Sequence, residues 1–286
     1  MKIGAVFPQI EIGDDPDIIA RFATTAEELG YDHIIAYDHV LGAGTANRPD
    51  WAGPYTSASM FHEPFVLYGY LGALTSTLEL VTAVIILPQR QTVLVAKQAA
   101  SLAVLTKGRL RLGIGTGWNT VEYDALGESF TNRGARSEEQ IDVMRKLWAD
   151  EVISYDGKWH NITEAGLNPL PARQIPIWLG GMAEKVIDRV GRIGDGWFPF
   201  FNPNLQGQLE QLHAAAKRHG RDPNEIGIEV MTPLGDASDK QLDQLKKLRD
   251  MGVTHSAVVT MSAGLQKEEH IDAIKRFWDA AGSITD

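Results

Sequence analysis

Short β-rich runs alternate with helical patterns eight times along this chain, and that alternation narrows the fold more than any other feature. The β runs fall at 3–7, 33–36, 78–87, 109–114, 175–179, 196–200, 226–231 and 255–260. Between them lie helical patterns with apolar residues at 3.6-residue spacing. The first opens on Asp15-Pro16, carries Ile19, Phe22, Ala23, Ala26 and Leu29 on one face, and stops at Gly30. Others read at 63–75, 93–105, 137–148, 184–193 and 205–219. A further helix opens on the capping-box pattern Ser238-Asp-Lys-Gln241 and ends at Gly252, and a last one is marked by Ile271, Ile274 and Trp278. Strict alternation of this kind implies a parallel sheet. Eight units favour a closed (β/α)8 TIM barrel over an open doubly wound sheet.

Length and composition agree. A barrel of this type needs ~250 residues, and the chain has 286, with 44% hydrophobic residues to fill a core. No Pro/Ser-rich linker divides it, so 1–286 is expected to be one domain with long inserted loops. A formal net charge of −10 makes it a poor partner for a phosphate backbone, so nucleic acid is not an expected ligand. With no cysteine, disulfides, thiolate catalysis and Cys-ligated metals are excluded. The chain runs at once into a strand pattern, and no apolar run reaches the ~18 residues of a membrane span. A soluble cytoplasmic protein without membrane contact is the expectation.

The connections are uneven. Segments 37–62 and 115–134 are long and follow strands, so in a barrel they leave the C-terminal mouth where active sites sit. Segment 150–174 follows a helix and so begins at the opposite face; it contains a hairpin-like stretch at 153–159.

The most informative local stretch is Lys107-Gly-Arg-Leu-Arg-Leu-Gly-Ile-Gly-Thr-Gly-Trp-Asn119. A buried strand empties into a loop where Gly113, Gly115 and Gly117 remove side chains, so a flat ligand can lie against the backbone. Asn119 then caps a short helix starting at Thr120. The spacing is not the G-x-G-x-x-G dinucleotide fingerprint, and a tight turn explains it as well. Trp178-Leu-Gly-Gly-Met-Ala-Glu184 is a second strand–turn–helix junction whose N–H groups at Gly181, Met182 and Ala183 suit a phosphate, although an ordinary βα turn reads the same way. Thr82-Ala-Val-Ile-Ile86 is small and uncharged on one side, either core or the floor under a planar ring. Asp38-His39, at the mouth of the second strand, sets a carboxylate beside an imidazole able to exchange protons near neutral pH; a solvated loop pair is the alternative. The histidines show no ligand spacing and no H-x-H pair, so no metal is expected, and the G-x-S-x-G elbow of a hydrolase is absent.

Taken as a set, these residues resemble the bacterial luciferase-like flavin monooxygenase and deazaflavin oxidoreductase superfamily. The likeness covers roughly residues 2–200. It rests on Ala26-Glu-Glu-Leu-Gly-Tyr-Asp32, Asp38-His39, the glycine-rich stretch, Asp124-Ala-Leu-Gly127, Arg133-Gly-Ala-Arg136, Pro176-Ile-Trp-Leu-Gly-Gly181 and Gly194-Asp-Gly-Trp197. The resemblance implies a (β/α)8 barrel and particular roles. His39 falls where the family keeps a proton-transferring histidine, and Asp38 where deazaflavin members keep an acid that hydrogen-bonds the coenzyme ring. Ala83-Val84 falls where many members have a non-prolyl cis peptide that backs the ring. Thr116 and Gly117 would line the ring edge, and Gly180, Gly181, Met182 and Ala183 would hold the phosphate end. FMN-using luciferases carry an arginine at the position of Thr116. The threonine here resembles the branch that uses coenzyme F420, with FMN kept open by Arg90 as a substitute cation. The implied activity is hydride transfer to or from a small organic substrate. The alternatives are an FMN-dependent monooxygenase fed by a separate reductase and a non-catalytic coenzyme-binding barrel. Aromatic residues of the long first loop, Trp51, Tyr55 and Phe61, together with Met60, would wall the substrate entrance or simply anchor the loop. A homodimer through surface helices is also implied.

Overall fold

A computed structural model of the protein describes residues 1–235 and 239–282, the side chains at 239 and 240 excepted. The strands are β1 (Lys2–Val6), β2 (His33–Ala36), β3 (Glu79–Thr82), β4 (Ile85–Ile86), β5 (Leu110–Gly115), β6 (Ile153–Asp156), β7 (Asn161–Ala165), β8 (Ile177–Gly180), β9 (Gly196–Phe198), β10 (Gly227–Pro233) and β11 (His255–Val259). The helices are α1 (Pro16–Leu29), α2 (Pro64–Leu74), α3 (Thr92–Leu105), α4 (Thr120–Ala125), α5 (Arg133–Ala149), α6 (Glu184–Ile193), α7 (Leu205–Arg218), α8 (Asp239–Asp250) and α9 (Glu269–Ala281). The main sheet runs β3-β2-β1-β11-β10-β9-β8-β5, and pairing of β3 with β5 closes it. All of its pairings are parallel. This is the (β/α)8 barrel expected from the alternation.

The boundaries follow local chemistry. Asp15 caps α1 by accepting from the Asp17 N–H, Pro16 sits in the first turn, and Gly30 ends the helix at φ 98°, where a side chain would be strained. Asn119 caps α4 by accepting from the Val121 N–H. The run expected as one strand over 78–87 is divided. β3 ends at Thr82, the Ala83–Val84 peptide is cis, and β4 resumes at Ile85. The helix expected at 137–148 begins one turn earlier, at Arg133. The capping box at Ser238 lies outside the described residues. The hairpin-like stretch at 153–159 is the antiparallel pair β6–β7, which extends to Ala165. Its tip lies against the outer helices: His160 Nδ1 meets Glu139 of α5 at 2.8 Å.

Two apolar layers hold the barrel. The larger packs the helices on the outside of the sheet, with Phe22, Leu71, Ala99, Met144 and Ile274 fully buried. The inner one fills the barrel with Val6, Ile35, Val81, Trp178, Phe198 and Ala257. Below it, toward the N-terminal ends of the strands, the interior is charged. His33 bonds Glu229, Arg111 donates to Glu229 Oε2 at 2.6 Å, and the Arg111 guanidinium lies 4.2 Å from the Trp178 ring centre. Glycines admit these bulky groups: a Cβ on Gly4 would collide with the His33 ring, and one on Gly196 or Gly227 with Trp178.

Candidate active site

The C-terminal mouth of the barrel holds a cavity of about 530 Å³. Asp38, His39, Ala83, Val84, Thr116, Gly117, Gly180 and Gly181 all line it, so strands far apart in the chain bring these expected residues together. Met182 and Ala183 stand just beyond, at the head of α6, where Met182 Sδ accepts from the Phe200 N–H.

The floor is built from the cis Ala83–Val84 peptide and two bare positions beside it. A Cβ on Gly115 would lie 2.5 Å from Val84 Cγ2, and one on Gly180 would lie 2.9 Å from Val84 Cγ1. The valine therefore nests between two strands that carry no side chain at that level. Thr82 clamps the bulge from behind: its hydroxyl donates to Gly113 O at 2.8 Å and accepts from the Gly113 N–H at 2.9 Å. Tyr123 OH donates to Thr116 O, and Trp197 Nε1 donates to Gly181 O, so both glycine loops are fixed from below. Ala183 is the N-cap of α6 and has no side chain to satisfy the first N–H groups of that helix. The head of α6 is thus open to an oxyanion.

The walls are aromatic. The His39 ring contacts Tyr55 and Phe61, each with centroids 4.8 Å away, and Trp118 at 5.8 Å. Trp51 packs on Trp118, and its indole N–H donates to Tyr55 O. Tyr55 lines the cavity, whereas Met60 does not. Phe61 lies on the far side of the imidazole, in a second cavity of about 270 Å³ that it shares with Glu63, Gln89 and Arg90. His39 lines both cavities and a third, smaller one.

Asp38 is almost fully buried. Its carboxylate accepts from Arg90 at 2.7 and 3.3 Å and from the Ile86 N–H at 3.0 Å. Arg90 is held a second time by Glu63 at 2.9 Å. Burial lowers the guanidinium's proton affinity, but the two carboxylates more than offset this and raise it overall. Arg90, expected as a substitute phosphate cation, is thus already bound by two carboxylates along the edges of its guanidinium.

Sequence reasoning missed Glu122, at the third position of α4. Its side chain is 1% exposed, and it accepts from His39 Nδ1 at 3.1 Å. The available signal was a carboxylate three residues after a capping asparagine, on a helix too short to bury much else.

A family model described as "Luciferase-like monooxygenase" matches residues 4–283. The chain belongs to this family. An uncharacterised protein of Mycobacterium tuberculosis is 33% identical over 256 residues, covering 87% of this chain and 86% of that protein. The luciferase-like relatives also include an F420-dependent glucose-6-phosphate dehydrogenase of Segniliparus rotundus, 27% identical over 91% of this chain and 77% of its own. An F420-dependent hydroxymycolic acid dehydrogenase of M. tuberculosis is 31% identical over 77% and 60%. Among solved structures, an F420-dependent secondary alcohol dehydrogenase superposes with a TM-score of 0.81 over 98% of both chains at 17% identity. The monooxygenase RslO1 from Streptomyces bottropensis superposes with a TM-score of 0.82 over the full length of both at 19%. At such identities these two matches speak for the luciferase-like barrel fold alone.

Proposed function

We propose that this chain is a coenzyme F420-dependent oxidoreductase acting on a small organic substrate. The observation that carries this reading is the floor: Val84 set between glycines on two strands, at the base of an aromatic-walled cavity that also presents an imidazole. A flat tricycle fits such a floor, and the bare turn Gly180–Gly181 with the head of α6 fits a phosphate-bearing tail. The bound coenzyme would supply hydride chemistry at its ring face.

The protein's own groups would do the rest. Ala83, Val84, Thr116 and Gly117 would set the plane of the ring, and Asp38 would brace the Ile86 end of the floor. Gly180, Gly181, Met182 and Ala183 would hold the tail, while Tyr55 and Trp118 keep water from the reacting face. His39 would carry the proton that accompanies the hydride. Thr116 and the double engagement of Arg90 favour F420 over FMN. The 30% identity over 171 residues to a pyrimidine monooxygenase of Allorhizobium ampelinum, 56% of this chain and 46% of that protein, supports the monooxygenase alternative.

Fluorescence-quenching titration of the protein with F420 and with FMN tests the assignment. Saturable quenching by F420 at lower concentration than by FMN is the expected result. Tighter FMN binding would replace the F420 reading with the monooxygenase one, and no binding of either would remove the function.

A further inference from the structure

A glutamate at the third position of a helix commonly turns back to the N-cap N–H. Glu122 does not. Its Oε1 accepts from His39 Nδ1 at 3.1 Å, from the Val40 N–H at 3.0 Å and from the Leu41 N–H at 3.4 Å, and its Oε2 accepts from Gln89 Nε2 at 3.3 Å. Four donors from two other segments converge on one buried carboxylate. Burial alone would raise its proton affinity, but the bonds from His39, Gln89 and Leu41 outweigh that, and the pKa is lowered overall. The group is therefore a carboxylate at neutral pH, and a carboxylate only accepts. His39 Nδ1 must then carry the hydrogen, which leaves Nε2 as the acceptor nitrogen. The only hydrogen bond of the ring among the described residues is the one at Nδ1.

We propose that Glu122 is a positioning residue: its buried charge holds His39 as the Nδ1–H tautomer so that Nε2 is the atom that exchanges the substrate proton. This rests on the reading of His39 as the proton carrier. In the direction of substrate oxidation, an O–H or N–H proton passes to Nε2 while a hydride leaves the substrate for the deazaflavin or flavin coenzyme. The ring ends as an imidazolium whose charge the carboxylate balances. The other ionisable groups around the ring do not compete for this task. Asp38 and Arg90 are bound to each other, Glu63 is bound to Arg90, and burial raises the phenols of Tyr55 and Tyr37.

The test combines nitrogen NMR of the imidazoles with kinetics. The His39 signals are assigned by their loss in His39→Ala. The wild-type protein should show the Nδ1–H tautomer at neutral pH; an Nε2–H tautomer there overturns the proposal without any variant. Glu122→Ala removes the acceptor outright, whereas Gln would keep an oxygen where Oε1 accepts from both His39 and Val40; thermal melting and coenzyme titration check that fold and binding hold. With that acceptor gone the two tautomers should mix. Turnover should drop ~10- to 100-fold. Glu122→Asp, which keeps the charge, should restore the Nδ1–H signal and part of the rate. An unchanged tautomer in Glu122→Ala would sink the proposal. Unchanged turnover in His39→Ala would instead sink the functional reading, while the NMR result still reports separately on the carboxylate.

Discussion

At the scale of single residues, the site depends on what is missing as much as on what is present. Gly113 has no room for a side chain, because a Cβ there would lie 1.8 Å from Thr82 O, a backbone atom that cannot step aside. Gly113→Ala should therefore push β3 away from β5 just where the floor begins. It should destabilise the fold by ~2–3 kcal/mol, read by thermal melting, and weaken coenzyme binding more than a substitution elsewhere on β5 does. His39 is the opposite case, a side chain that is present and is proposed to act through its ring nitrogens. His39→Ala should leave coenzyme affinity within a few-fold, because the floor and the α6 turn are untouched, and should lower turnover by ~10²–10⁴-fold. Stopped-flow reduction of the bound coenzyme separates the two effects. The sequence exposed His39 by its place after a strand, whereas for Glu122 it offered only a carboxylate three residues after a capping asparagine. The two are 83 residues apart, and only barrel closure brings them to one hydrogen bond.

At the scale of elements, the charged layer beneath the apolar one has the clearest consequence. Glu229 is fully buried. Burial would raise its pKa, yet His33 and Arg111 bring it down to about 2. Replacing it with Gln would leave two basic groups facing each other in the interior, and such a loss costs ~3–5 kcal/mol. His255, at the start of β11, is held far below the ordinary imidazole range, first by burial and then by the Arg111 charge. The sign follows from which state takes up protons. Below pH ~6.5 the unfolded chain protonates this histidine and the folded chain does not, so stability falls as pH falls. The loss should reach ~2 kcal/mol by pH 5 from this group alone. Urea melts between pH 7 and pH 5 should show it, and His255→Asn should flatten the slope. Neither β10 nor β11 announced this role. Ile226–Met231 read as an apolar run interrupted by one glutamate, because periodicity reports the face of a strand and not the depth inside a barrel. The strand order, the helices and the loop-borne glycines were legible because each has a local cause in spacing, caps or missing Cβ atoms. The break at Ala83–Val84 was legible only through family resemblance.

At the scale of the whole molecule, one side of the barrel is unusually apolar for a surface. α2 exposes Val66, Tyr70 and Leu74 at four-residue spacing, and the neighbouring α3 exposes Val93, Leu94, Val104 and Leu105. Val66 and Leu105 are 72% and 78% exposed. Patches of this kind mark association surfaces. A second copy of the chain is the proposed partner, since the same two helices on each copy would cover one another about a two-fold axis. Sedimentation should give a dimer at micromolar concentration, and Val66→Glu with Leu105→Glu should give a monomer that keeps the coenzyme site.

The imidazole of His39 forms part of the wall between the large aromatic chamber and a smaller one lined by Phe61, Glu63, Gln89 and Arg90. It therefore serves as a bung as well as the proposed proton carrier. Truncating it would open a breach through which bulk solvent reaches the reacting face from behind, whereas a phenyl ring there would keep the partition sealed and still pass nothing. The gap between those two defects measures how much the enzyme relies on dryness, apart from acid–base chemistry.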